Sequence, residues 1–153
     1  MTSSGDLVRA AKASLRAPKI PRRRLAVLTC MDARIDPFRA LDAQLGDIHV
    51  LRNAGGVVTD DVIRSLIVSC HVLQVARVQI VMHTDCGMIG VDQAAIERDL
   101  GPLPFDLRAF TSIPEELERG VERLRNERLL SLPGGVTGYI YDVDSGRLSR
   151  AVA

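Results

Sequence analysis

Tryptophan is missing from this 153-residue chain, and aromatic residues make up only 3% of it. A core must therefore be built from Val, Leu, Ile and Ala. Neither sign of charge dominates: 20 Lys and Arg stand against 19 Asp and Glu, which argues against an electrostatic nucleic-acid binder. The one basic cluster, Arg22-Arg23-Arg24, precedes an apolar run and reads as a solvated edge. No apolar run approaches the ~20 residues that span a bilayer. Residues 1–19 carry charges throughout and lack the apolar centre of a signal peptide, so a cytoplasmic protein without a membrane or nucleic-acid partner is expected. Cysteine is scarce and odd in number. Three thiols in a reducing compartment read as ligands or core residues before they read as disulfides.

What is present is ordinary globular material, 46% hydrophobic and 25% charged, in a length suited to one domain. Leu7, Ala10, Ala11 and Leu15 recur at helical spacing over residues 4–17, and Pro18 and Pro21 end that helix. Residues 1–24 thus read as a helical arm ahead of a single α/β domain over 25–153. Leu25–Thr29 is a continuous apolar run suited to a strand covered on both faces. Asp36-Pro37 starts a helix that Gly46 closes. Ile48–Leu51 is a second strand, RNAGG (Arg52–Gly56) a glycine loop, and Thr59-Asp60-Asp61 opens a helix to about Val75. Val78–Met82 makes a third strand, with helices to follow near 89–100 and 114–130. Val136–Val143 and Leu148–Val152 flank an Asp-Ser-Gly turn as a hairpin. Strands separated by helices predict a mainly parallel sheet, flanked by helices and carrying an antiparallel edge strand.

The chemistry gathers in two stretches, TCMDAR (Thr29–Arg34) and HTDCG (His83–Gly87). In open parallel sheets, ligands collect beyond the carboxyl ends of the strands. Cys30 stands at that end of the first strand and His83 at that end of the third, with Cys86 three residues on. Cys30, Asp32 and Arg34 alternate, which lets all three point the same way. Two thiolates and an imidazole suit Zn²⁺, and three protein ligands leave the fourth tetrahedral position open, as in a catalytic site. Singly, each residue has a blander reading, since a strand-end Cys is often a small buried hydrophobe. A phosphatase loop C-x5-R fails because Asp36 occupies the arginine position. No C-x-x-C is present for a thioredoxin-like redox pair.

Taken jointly, TCMDAR and HTDCG, with RNAGG between them, resemble the β-class carbonic anhydrases and their pattern C-x-D-x-R…H-x-x-C. The resemblance covers Leu25–Ile89 most strongly, and GYIYDVDSGRL resembles that family's edge strand. It implies one zinc per chain on Cys30, His83 and Cys86, an Asp32–Arg34 dyad, and reversible hydration of carbon dioxide to bicarbonate. It also implies that Asp32 joins the zinc only in a closed, inactive form. The family's pocket lies at a subunit interface, so a homodimer or larger assembly is expected, with the arm crossing to its partner. Gln44 matches a position where plant-type members bind substrate oxygen, or is a solvated helix end. Asn53, Gly55 and Gly56 line the pocket wall, or serve only as a helix entry.

Asp85, between two ligands, belongs either behind them or at the pocket rim. His49, His71 and Cys70 read as structural. Met82 departs from the family, since many members carry glycine before the ligand histidine. The short branch also resembles hydrolases of carbonyl sulfide and carbon disulfide, which use the same zinc machinery. A zinc-stabilised binding protein without catalysis is the third reading, and the intact dyad argues against it.

Overall fold

The computed structural model describes residues 17–153. The arm helix expected over 4–17 therefore lies, but for its last residue, outside the described residues. Beyond it the chain forms β1 (Leu25–Cys30), α1 (Pro37–Ala40), β2 (Ile48–Asn53), a 3-10 turn (Ala54–Gly56) and α2 (Asp60–His71). Then come β3 (Arg77–His83), α3 (Gln93–Leu100), α4 (Ile113–Arg125), β4 (Val136–Tyr141) and β5 (Leu148–Val152). The sheet order is β2-β1-β3-β4-β5, parallel through β4, with β5 antiparallel at the edge. This is the α/β architecture expected from the alternation of apolar runs and helical stretches. No helix among the described residues is long and apolar enough to cross a membrane.

Every residue of β1 is buried, which is why its sequence is apolar without alternation. On one face Ala26, Leu28, Val78 and Ile80 pack with Val62 and Leu66 of α2 and Leu117, Val121 and Leu124 of α4. Leu25, Val27, Ile48 and Val81 form a smaller cluster on the other face, closed by Phe38 and Leu41. Each fully buried Leu or Val contributes about 1.5–3 kcal/mol relative to exposure, so α2 and α4 anchor the central strands firmly. Both strands that end at the site are thus held rigid from behind.

Helix ends depart from the sequence reading at four places. α1 stops at Ala40 instead of reaching Gly46, and α2 stops at His71 instead of Val75. Asp42 and Gln74 take left-handed backbone, with φ of 46° and 59°; Asp tolerates that conformation without requiring it and Gln gives no sign of it, so the sequence signal is weak. α3 begins only at Gln93, where the Asp92 side chain accepts the Ala95 amide; Gly90 just before it has φ 70°. α4 ends at Arg125, capped by Asn126.

Candidate metal centre and carboxylate dyad

β1 and β3 are parallel neighbours, with Thr29 beside Val81, so Cys30 and His83 emerge together from the carboxyl end of the sheet. The chain then turns sharply at Asp85, φ 53°, and brings Cys86 back under them. The sulfurs of Cys30 and Cys86 lie 4.0 Å apart, and they and a His83 ring nitrogen are all within 4.8 Å of one another. All three residues are buried, at 5%, 0% and 6% exposure for Cys30, His83 and Cys86.

His83 Nδ1 is 2.8 Å from the Thr84 carbonyl oxygen. A carbonyl only accepts, so Nδ1 carries the proton and Nε2 presents its lone pair. That Nε2 is fully buried and has no hydrogen-bond partner among the described residues. A buried lone pair left without a partner is costly, and it sits among two thiols. Burial pushes the Cys86 thiol up, and Cys30 beside it adds to the shift, so two thiolates need a cation between them. Tetrahedral zinc with Zn–S near 2.3 Å places its sulfurs about 3.8 Å apart, close to the observed spacing. The donor set fits zinc. The Gly55 amide also donates to Cys30 Sγ at 3.3 Å, which fixes the sulfur's position against the glycine loop.

Beside these donors the alternation of Cys30, Asp32 and Arg34 does not continue as strand. β1 ends at Cys30, and the chain folds into an Asx turn in which the Arg34 amide donates to Asp32 Oδ1 at 2.9 Å. Arg34 Nε then donates to Oδ1 at 3.0 Å and Nη2 to Oδ2 at 2.8 Å. This forked pairing holds the Asp32 carboxyl well below the usual carboxylate range, chiefly through the Arg34 side chain. Asp32 Oδ2 lies 3.8 Å from His83 Nε2, so an ionised carboxylate faces the cluster edge. A cavity of about 210 Å³ opens here, lined by Cys30, Met31, Asp32, Ala54, Gly55, Cys86, Gly87 and Met88.

The other predicted residues separate. Gly55 lines the cavity, whereas Gly56 sits behind it, where an added Cβ would lie 2.9 Å from the Cys30 backbone nitrogen. Asn53 turns its amide into the loop, donating to the Val57 carbonyl and accepting the Val57 amide. Those two bonds close the RNAGG turn. Gln44 is exposed and does not line its own chain's cavity. His49 bonds to Ser69 and the Lys19 carbonyl, and His71 to the Leu129 carbonyl, so both are satisfied away from the site. Cys70 packs against the core from α2, and burial pushes its thiol up.

Two residues that sequence reasoning left unassigned belong to the site. Arg52 donates from Nε to the Cys30 carbonyl and from Nη2 to the Asp32 carbonyl, at 2.9 and 2.7 Å. It clamps the chain that carries one donor and the dyad. Its signal was a guanidinium near the end of the strand beside β1. Asp85 receives Arg34 Nη1 at 2.7 Å on Oδ2, and Arg34 Nη2 at 2.8 Å on its carbonyl.

Comparison with known proteins follows the same residues. The family model described as carbonic anhydrase matches residues 25–128. A β-carbonic anhydrase 1 from Mycobacterium bovis is 34% identical over 138 residues, covering 87% of this chain and 85% of that protein. A carbon disulfide hydrolase from Acidianus is 35% identical over 157 residues, covering 84% and 77%. The crystal structure of a carbonic anhydrase from Streptococcus mutans superposes with a TM-score of 0.84 at 37% identity, covering 99% of each chain. With this fold, these donors and matches that span most of its length, the chain belongs to the β-carbonic anhydrase family.

Proposed function

We propose that this protein is a zinc-dependent carbonic anhydrase that interconverts carbon dioxide with bicarbonate and a proton. The observation that carries the reading is the buried, unpartnered His83 Nε2, set between two thiols and facing an ionised Asp32. Cys30, His83 and Cys86 would hold one zinc per chain, whose Lewis acidity makes water nucleophilic near neutral pH, moderated by two thiolates.

The chain's own residues then set geometry. Asp32 Oδ2 accepts a hydrogen bond from the attacking water and turns its lone pair toward the cavity. A carboxylate held so low takes no proton itself near neutrality; it orients. Arg34 keeps Asp32 ionised and aimed, which also opposes the closed form in which Asp32 swings onto the metal. Met31, Ala54 and Met88 give the cavity apolar walls suited to a linear, uncharged triatomic.

A second reading has its own support: the relative named a carbon disulfide hydrolase, and the two thioethers in the cavity wall. Carbonyl sulfide and carbon disulfide present the same linear electrophile. Stopped-flow hydration assays run beside sulfide-release assays decide between them. Hydration at least tenfold faster in kcat/KM supports the anhydrase, and the reverse ranking transfers the site to the hydrolase. Metal analysis tests both: the wild type should hold stoichiometric zinc, lost in Cys86→Ser. Full zinc in that variant sinks the assignment.

The working unit in this reading is a cytoplasmic homodimer or larger, in which the arm helix over 4–17 crosses to a second copy and 25–153 form the catalytic domain, while Lys19, Arg22 and Arg23 bond to their own chain. The exposure of Gln44 suits it to face a neighbour's cavity, where its amide would bind substrate oxygen. Gly55 shapes the cavity wall directly.

A further inference from the structure

We infer that Asp85 is a positioning residue: it grips Arg34 from outside the Asx turn and so fixes the direction in which Asp32 faces the cluster. The inference rests on the proposed role of the dyad. Asp32 and Arg34 belong to one short turn, and a pair two residues apart can swing as a unit. Among the described residues, every side-chain hydrogen bond of Arg34 beyond that turn goes to Asp85, fifty-one positions along the chain. Two bonds, to the carboxylate at 2.7 Å and to the carbonyl at 2.8 Å, tie the turn after β1 to the turn after β3. Cys30 and His83 end the strands that lead into those turns, and Cys86 lies in the second turn.

The backbone at position 85 sharpens the argument. Its φ of 53° is left-handed, a conformation best suited to glycine and tolerated by Asp and Asn. Glycine would relieve the turn and lose the carboxylate. Aspartate satisfies both demands, accepting modest strain at a site where orientation matters. The side chain is 79% exposed, so this pair is screened and adds little to folding stability. Removing it should therefore register in geometry rather than in folding.

Asp85→Asn tests the charge with the left-handed preference kept, and Asp85→Gly removes the side chain while relieving the turn. Three measurements apply to both: metal content, steady-state kinetics, and hydrogen exchange of the Arg34 Nε–H in ¹⁵N-labelled protein. The Nε–H signal is assigned by its loss in Arg34→Lys. The expected result is unchanged zinc in both variants, an unchanged unfolding midpoint in Asp85→Asn, a kcat reduced about tenfold at similar KM, and clearly faster Nε–H exchange, with Gly more affected than Asn. The inference is overturned if the Nε–H exchange is unchanged in both variants. It is equally overturned if zinc is lost in both, which would make Asp85 part of the ligand turn only. Should the wild type turn over none of the triatomic substrates, the reaction proposed above fails, while the exchange measurement still decides whether Asp85 holds Arg34.

Discussion

Replacing Gly56 by alanine should damage the site from behind without touching a donor. Gly56 has φ 66°, and a Cβ there would lie 2.9 Å from the Cys30 nitrogen and 3.0 Å from the Thr29 carbonyl carbon. Both atoms are backbone of β1, whose residues are all buried, so no flexible side chain can give way. The left-handed conformation costs an L-residue about 1–2 kcal/mol, and forcing a methyl into packed surroundings adds about 1–3 kcal/mol. The sum, roughly 2–5 kcal/mol, is a large part of the 5–15 kcal/mol typical of a domain. Whatever shift relieves the clash moves Cys30 and weakens the grip on metal. Urea unfolding of the metal-free protein reads the first effect, and competitive zinc titration reads the second. Gly87→Ala is the control, because its Cβ meets nothing within 4 Å and it lies beside Cys86. Its stability should stay within about 0.5 kcal/mol of wild type. A Gly56→Ala protein as stable as the Gly87→Ala control, with undiminished zinc affinity, refutes the reasoning.

Asp32→Asn should keep stoichiometric zinc yet lose turnover by about 10²-fold, since an amide cannot act as an ionised acceptor; full stopped-flow activity would remove Asp32 from the mechanism. Arg34→Ala frees Asp32 to swing inward, so its activity–pH profile should move, and an unchanged profile counts against the dyad. Deleting residues 1–17 should weaken association and activity together, as read by sedimentation and kinetics on the same samples; a fully active monomer at nanomolar concentration defeats the crossing arm. Asp47 is held below the usual carboxylate range by the Gln44 amide and then by Arg22. Its lowered pKa contributes stability that is complete above pH ~4 and lost as pH falls through the folded value. The denaturation-midpoint gap between wild type and Asp47→Asn should therefore be full at pH 7 and shrink below pH ~4, and an equal gap at pH 3 and pH 7 contradicts this.

The amino-acid sequence by itself determined which strands end at the site and which side chains stand there. β1 was legible because a centre strand buried on both faces must be continuously apolar, and Cys30 marks the point where that run meets polar residues. His83 and Cys86 were legible because a parallel sheet sends successive strand ends to one side, whatever loops intervene. Asp36, Thr59 and their successors announced helix starts because capping acts over three residues. Helix ends were hard to read where Asp42 and Gln74 turned left-handed, since Asp tolerates that conformation without requiring it and Gln gives no sign of it.

The tertiary structure alone decided how the donors are supported. Asp32 and Arg34 meet across a turn rather than along a strand, because chain direction after Cys30 depends on Arg52 holding two carbonyls from β2. Asn53 closes its own loop, Gly56 makes room for β1, and Asp85 reaches Arg34 across fifty-one positions. Each of these partnerships joins residues whose side-chain directions are set by packing rather than by neighbours in the chain, and spacing along a sequence carries no record of direction.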